Sequence, residues 1–423
     1  MKRDLLTFLL AGLLATSGAE AAVAENWPQF RGPQGDGHAR VEGLPLKWSE
    51  TENVRWKTPI HDSGWSSPVV WEDQVWMTTA DAEGKRLYAV CVDRDLGTVV
   101  HDVLVFENER PQEIWGDTNG HASPTPVIEQ GRIYVHFGAY GTACLNTATG
   151  QTLWTRRDLN CEHVIGPASS PILFRNLLIL HVDGSDVQYV IALDKASGKT
   201  VWRTDRSADF GGVAERLRYA ACTPTVAAAG GRHQLISPGA RAIVAYHVLD
   251  GEELWSVRTT GHAVVPRPLA GAGLAFAVTA QYDPELVAIR LDGRGDVTES
   301  HVAWRRDEKD GAPAVPSFLL VEDLLYTIAD KGVACCVEAK TGETVWRERL
   351  RGSYCASPLF AQGRIYATST KGVTTVLGAG REFKVLAVNE LDGTRVWASP
   401  AVCGKAVFLR TETHLYRFEE QSP

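Results

Sequence analysis

After residue 24 this chain contains no apolar run near the roughly 20 residues that a membrane-spanning helix needs, so no span is expected. It also lacks a surplus of positive charge. Its 43 Lys and Arg face 51 Asp and Glu, a net charge of −8 with the signs mixed throughout. A nucleic-acid partner would require a basic face, and none is expected. No Cys precedes Cys91, so a lipid-modified N-terminal Cys is not expected either. The eight Cys contain no C-x-x-C pair, which leaves a zinc site without support. Sizeable helical patterns are missing; the best short helical candidate is Val213 to Arg218. These absences leave a soluble, β-rich chain of ordinary apolar content, large enough to fold without disulfide staples.

The N-terminus has its own character. Lys2 and Arg3 precede an apolar run from Leu5 to Leu14, followed by small residues to Ala24. Ala19-Glu20-Ala21 and Ala22-Val23-Ala24 both offer an A-x-A cleavage pattern. Residues 1–24 therefore read as a signal peptide, and the mature chain is expected to be soluble and periplasmic or secreted. Residues 25–52, with Asn26-Trp27-Pro28-Gln29-Phe30-Arg31-Gly32-Pro33, carry too much Pro and Gly for a regular element. Their aromatics predict an extended segment held against a surface.

From residue 53 onward, short β-rich runs alternate with turn residues. Trp65 to Val70, Gln74 to Thr79, Leu87 to Val92 and Thr98 to Val105 make one unit. Later units begin at Ala122-Ser123-Pro124, Ser169-Ser170-Pro171, Cys222-Thr223-Pro224, Arg267-Pro268, Pro316-Ser317, Ala356-Ser357-Pro358 and Ser399-Pro400. Within the units a small residue is followed six positions on by Gly, and four later by Trp. The copies are Cys144–Gly150–Trp154, Ala192–Gly198–Trp202, Ala245–Gly251–Trp255, Cys336–Gly342–Trp346 and Ala387–Gly393–Trp397. The first unit has His101 at the Trp position, and the fifth has an expanded turn, Leu291 to Ser300, before Trp304. The eighth stops at Leu415 to Phe418 without a Trp strand, while Val54-Arg55-Trp56-Lys57 is a Trp strand without a unit. Joining the two removes both open sheet edges. The prediction is an all-β, eight-bladed β-propeller of four-stranded antiparallel blades over residues 53–419, closed by the N-terminal strand completing the last blade. Cys91, Cys144 and Cys336 occupy small core positions; whether Cys161, Cys222, Cys355 and Cys403 pair is left open.

The Ala192, Asp194, Gly198, Trp202 figure resembles the tryptophan-docking motif of the PQQ-like (pyrroloquinoline-quinone-type) β-propeller family. The resemblance implies that each outer-strand Trp packs on the small residue and turn of another blade. Two branches of that family are known: quinoprotein dehydrogenases, and non-catalytic propellers similar to the BamB outer-membrane assembly factor. The leader Trp27 to Pro33 also resembles the start of secreted propellers common in planctomycete-like bacteria.

The dehydrogenase branch implies PQQ, a Ca²⁺ held by carboxylate and amide oxygens, a general-base Asp, and an adjacent Cys–Cys disulfide against the cofactor. Cys335-Cys336 is the one adjacent pair, but consecutive strand residues point to opposite faces, so a structural role is expected. No calcium set of Glu, Asn and Asp stands out. Val182-Asp183-Gly184-Ser185-Asp186 is first of all a turn. No catalytic residue and no metal ligand is assigned, and no cofactor is expected; PQQ and Ca²⁺ enter only if the chain is a divergent quinoprotein dehydrogenase. First strands of propeller blades face the central channel, so residues at their starts gather at one mouth. Trp65, His121, His163, Tyr219, Arg267 and Tyr354 are the candidates there, and they suit a small polar ligand or a peptide. They would also serve as ordinary packing and a solvated rim. Long connections at Phe106 to Gly120 and Asp205 to Arg218 are further places for recognition. The leading expectation is an extracytoplasmic, monomeric, non-catalytic propeller acting as a binding or protein-interaction scaffold. A quinoprotein dehydrogenase and a carbohydrate-binding propeller are the alternatives.

Overall fold

The computed structural model of the protein describes residues 26–116 and 119–420; the expected signal peptide at 1–24 lies outside them. Eight antiparallel sheets form a propeller. Blades 1 to 7 occupy residues 69–107, 127–156, 172–205, 225–258, 269–306, 319–349 and 359–389. Blade 8 takes Ala401–Cys403, Ala406–Arg410 and His414–Phe418 and is completed by Val54–Pro59, paired antiparallel from Val54↔Phe418 to Pro59↔His414. Two sheets gain a short fifth strand. His38–Ala39 adds in parallel to blade 7, and Gly295–Asp296, from the expanded turn of blade 5, adds in parallel to blade 4. Helix among the described residues is limited to three 3₁₀ turns, one of which, Glu215–Leu217, falls within the expected 213–218 stretch. None is long and apolar enough to cross a membrane.

The strand sequences follow from where each strand sits. Inner strands are covered on both faces by neighbouring blades and read as continuous apolar runs; Leu177–Asp183 is buried at every position. The core is therefore a set of layers between blades. Ile179, Val190 and Ala192 of blade 3, for example, meet Leu235, Val244 and Tyr246 of blade 4. Outer strands alternate, as in the mostly exposed Thr200–Asp205 with Trp202 buried. In every blade the pairing of third and outer strands slips by one residue beside the Trp position. Trp202 faces Ala192 and Thr200 faces Leu193, which leaves Val201 as a bulge turned to solvent. Leu153 and Val201, each 48% exposed, owe their exposure to this bulge and not to a docking patch.

The outer-strand indoles reach into the next blade. The ring N–H groups of Trp56, Trp154, Trp202, Trp304 and Trp346 donate to the carbonyls of Arg94, Lys195, Val248, Ala339 and Gly380 at 3.0–3.2 Å. The indoles of Trp56, Trp154, Trp202 and Trp304 lie over Gly97, Gly198, Gly251 and Gly342. Gly150 instead meets Val103 and His101, the residue in the Trp position of blade 1. Trp255 differs, donating within its own blade to Gln234 Oε1 at 2.8 Å. The copy read from the sequence in the seventh unit is corrected by the structure. Ala387, taken as the small residue, occupies the Trp position opposite Val376. Gly393 and Trp397 lie off any strand, in the segment leading to blade 8. The turn that receives Trp346 is the one at Gly380, so the Gly-to-Trp spacing at 393–397 repeats without its structural role.

Gly251 and Gly393 separate two costs. Both have positive φ, +77 and +84. A Cβ at Gly251 would stand 2.5 Å from the Trp202 ring, whereas one at Gly393 would meet nothing. Gly251→Ala is expected to lose about 2 kcal/mol and Gly393→Ala about 1 kcal/mol, the second from left-handed strain alone. Urea unfolding midpoints of the two variants check this; equal losses would mean that the indole contact contributes nothing.

Residues 26–48 form a strap across one face of the ring. Trp27 exchanges backbone hydrogen bonds with Val70 of blade 1, and the carbonyl of Pro28 accepts from Ile128 of blade 2. On the opposite side, Arg267 of blade 5 donates to the Phe30 carbonyl, and Arg31 donates to the Phe318 carbonyl of blade 6. The strap then pairs with blade 7 and ends with the Trp48 N–H on Asn389 Oδ1. Blades 1 and 5 are diametrically opposite in an eight-membered ring, so the strap crosses the axis.

Candidate functional site

Each first strand is entered through a short extended segment, and in seven blades that segment carries a hydroxyl: Ser67, Thr125, Ser170, Thr223, Ser317, Ser357 and Ser399. Most precede a Pro, which holds the residue before it extended. Seven hydrogen bonds link these segments around the axis. The N–H groups of Ser67, Thr125 and Ser170 donate to the hydroxyls of Thr125, Ser170 and Thr223, each at 2.9 Å. Those of Arg267, Ser317, Ser357 and Ser399 donate to the hydroxyls of Ser317, Ser357, Ser399 and Ser67 at 2.9–3.0 Å. The ring breaks once, between blades 4 and 5, where Arg267 replaces the hydroxyl residue. There the Arg267 Nε donates to Thr225 Oγ1, which donates to the Pro268 carbonyl.

Above this ring lies a cavity of about 350 Å³. All seven hydroxyl residues line it, and Phe30 of the strap closes its floor. Its upper wall carries Trp65, Trp397, Asn119, Gln281, Asp330 and Cys355. The rings of Trp65 and Trp397 lie 4.9 Å apart, with the Arg395 guanidinium 5.9 and 5.5 Å from them. Asp330 accepts a hydrogen bond from the Ala314 N–H at 2.7 Å, and burial raises its pKa. Burial also pushes the Cys355 thiol up to about 12. None of the lining residues is a Lys, Arg or His, and Arg395 reaches the site only through its contact with the two indoles.

Of the six side chains expected at the mouth, Trp65 lines this cavity and the others do not. His121 is bonded to the Tyr140 hydroxyl. His163 accepts the Ala139 N–H and, with Tyr219, borders a separate void of about 20 Å³, room for little more than one water. Tyr354 is buried, its hydroxyl on the Arg351 carbonyl. Arg267 faces the strap at the opposite end of the channel. Trp397, expected as a structural repeat residue, and the hydroxyl ring were not among the residues expected at the mouth. A hydroxyl residue at the start of seven blades was the available signal.

The small void is bordered by His136, His163, His181 and Asp183. His181 Nε2 lies 2.8 Å from Ser237 Oγ, with Asp183 nearby, an arrangement that imitates a hydrolytic triad. Its Nδ1, however, is bonded to the Cys222 carbonyl, Asp183 is engaged by Arg206, and all of them are buried. No nucleophile is presented. Among the described residues no group of three or more His, Cys, Asp or Glu is placed to hold a metal ion. The eight cysteines are free. Cys335 packs in the layer between blades 5 and 6, and Cys336 in the layer between blades 6 and 7. They therefore do not present a joined pair to the cavity, and a tricarboxylate such as PQQ would meet no cation in its lining. The residues present do not fit PQQ with Ca²⁺.

A family model described as outer membrane protein assembly factor BamB matches residues 102–232, 186–318 and 294–421. No curated protein matches the sequence. Among solved structures, BamB from Moraxella catarrhalis is 12% identical, with 91% of this chain and 98% of that one covered at a TM-score of 0.56. A europium-containing methanol dehydrogenase is 10% identical, with 93% and 98% covered at 0.68. Quinohemoprotein alcohol dehydrogenase ADHIIG from Pseudomonas putida HK5 is 11% identical, with 94% and 82% covered at 0.61. At these identities the structural likeness is one of fold.

Proposed function

This chain belongs to the family described as outer membrane protein assembly factor BamB, and we propose that it is a binding propeller that holds a small polar ligand in its axial cavity without transforming it. The observation that carries the reading is the cavity itself. All but one of the blades contribute a hydroxyl to its wall, and Phe30 of the strap lines it as well. Ligand sites are typically concave, with a few convergent polar groups among apolar ones. Here Ile165, Ala168, Val265 and Val315 alternate with the hydroxyls and amides. We place the protein outside the cytoplasm, on the N-terminal charge and apolar pattern and on the family's description. Any protein partner would dock on the mouth face, where Trp115 is 82% and Tyr282 64% exposed.

Cys355 offers a direct test, because it lines the cavity and is a free cysteine. Cys355→Trp should fill the cavity while leaving the ring hydrogen bonds intact. Small neutral, anionic and cationic compounds are to be screened by thermal shift. At least one should raise the melting temperature of the wild type and leave the variant unmoved. Equal shifts in both proteins would place binding elsewhere. Dye-linked alcohol oxidation after loading with PQQ and Ca²⁺ would overturn the non-catalytic reading.

A further inference from the structure

We propose that the axial cavity is an end-recognition site for a neutral oligosaccharide, whose terminal sugar enters the hydroxyl ring and whose next unit lies in the groove between blades 5 and 6. The inference rests on the binding function proposed above and names its ligand class. Three observations carry it.

The first is the state of the ring hydroxyls. Each of Ser67, Thr125, Ser170, Thr223, Ser317, Ser357 and Ser399 is at most 5% exposed and accepts one backbone N–H. None donates to a protein acceptor among the described residues, so seven O–H donors are available in one buried layer. A buried hydroxyl without a partner is costly. A ligand dense in hydroxyl oxygens supplies partners to several at once, whereas a flat aromatic stacked on the indoles would leave them unpaired.

The second is charge. The nearest guanidinium of the floor, Arg267, is committed to the Phe30 carbonyl, Gln29 and Thr225. The lining adds only Asp330 and Cys355 as titratable groups. Arg395 stands against the Trp65 and Trp397 rings and not among the lining residues, so a carboxylate, sulfate or phosphate seated between the ring hydroxyls would lie beside an acid with no cation in contact, at high cost. Neutral hydroxyls can instead donate to Asp330 and exchange hydrogen bonds with the amides of Asn119 and Gln281. The Trp65 and Trp397 rings supply an apolar wall for the C–H face of a pyranose.

The third is shape. The strap crosses the axis and its Phe30 lines the cavity, an obstruction to threading that favours entry of a chain terminus. Gln281 and Asp330 also line a second depression of about 460 Å³, over the boundary of blades 5 and 6, with Tyr282 on its wall. The two spaces share these residues, which places a second sugar beside Tyr282 once the first is seated.

The test uses the mature wild-type protein and neutral trisaccharides of glucose (α- and β-linked), mannose, xylose and N-acetylglucosamine. Alkylation of Cys355 by iodoacetamide, followed by intact mass and peptide mapping, reports occupancy of the cavity, and calorimetry reports affinity. At least one trisaccharide is expected to slow Cys355 alkylation about tenfold or more at saturation. Trisaccharides of galacturonic acid should not slow it. The corresponding monosaccharide should bind at least about tenfold more weakly than the trisaccharide, and Tyr282→Ala should remove most of that difference. Trp65→Ala should weaken binding of both. Protection of Cys355 by anionic or aromatic compounds of the earlier screen, and by no neutral trisaccharide, overturns the sugar assignment and leaves the binding function standing. If no compound of any class protects Cys355, the cavity-binding function itself fails. Binding that leaves Cys355 alkylation unchanged puts the sugar outside the cavity and also overturns the assignment.

Discussion

Asp183→Ala should lower the stability of the propeller by about 3–5 kcal/mol, the cost of leaving a buried charge unpaired. Arg206 grips Asp183 through two parallel hydrogen bonds, Nε to Oδ1 and Nη2 to Oδ2, both at 2.6 Å. The two side chains are 1% and 2% exposed. Burial works against the Arg206 charge, and the Asp183 carboxylate outweighs it, so the guanidinium is held above its ordinary pKa. Arg206 also donates to the Ser237 carbonyl of blade 4, so the pair ties blade 3 to its neighbour. Removing the carboxylate leaves a cation with no water to solvate it. Removing both charges is a different matter. Asp183→Leu combined with Arg206→Met should return to within about 2 kcal/mol of the wild type, because the desolvation penalty disappears with the pair. Urea unfolding followed by tryptophan fluorescence measures both. A single variant that loses less than about 1 kcal/mol would show the pair to be solvated and the blade 3–4 layer to be open.

Acid should act on the same sector. His136, His163 and His181 are each enclosed around the small void between blades 2, 3 and 4. Burial lowers the His136 pKa to about 3, with the neighbouring His163 adding to the shift. Burial lowers that of His163 to about 4, against the pull of Asp186. For His181 burial and then Arg206 act in the same downward direction. All three thus bind protons less well folded than unfolded. The stability they contribute is fully present above the unfolded value of about 6.5 and is lost as pH falls through the window down to 3–4. His136 and His163 each contribute about 1.4 kcal/mol per pH unit within that window, and His181 acts in the same direction, while Asp183, raised by burial, acts against them. Asp330, whose pKa burial raises, acts in the opposite direction, its contribution being lost as pH rises from the ordinary carboxylate range. Melting curves between pH 7.5 and 5 should show a steep fall in midpoint. His136→Gln should make that fall shallower, since a glutamine does not titrate. A midpoint that is flat across the interval would mean that the histidines are charged or hydrated in the native state.

Much of the fold was legible because it rests on local chemistry. The Gly198 turn, with φ +70, and Trp202 four residues later act over one hairpin, and their recurrence counted the blades. Ring closure was legible from an incomplete last unit and a spare Trp strand, and Val54–Pro59 does pair with His414–Phe418. The same local reasoning went astray at Ala387 to Trp397. A spacing can recur by chance, and only the hairpin register told that Ala387 stands where the Trp should be. Trp397 is better understood with Trp65, 4.9 Å away in space and 332 positions distant in sequence.

The sequence by itself therefore determined the class, the number of blades and the way the ring shuts. Those follow from hydrophobic alternation, turn residues and the need to leave no sheet edge open. Only the tertiary structure decided what the centre of the ring is. The hydroxyl ring closes through Ser399 and Ser67, partners from opposite ends of the chain. The floor exists because Arg267 meets the carbonyl of Phe30, and the strap carries Phe30 across the axis. Such groups share no segment and no period. They are brought together by eight successive blade-to-blade rotations, and a cavity defined by that sum has no signature in any stretch of the chain.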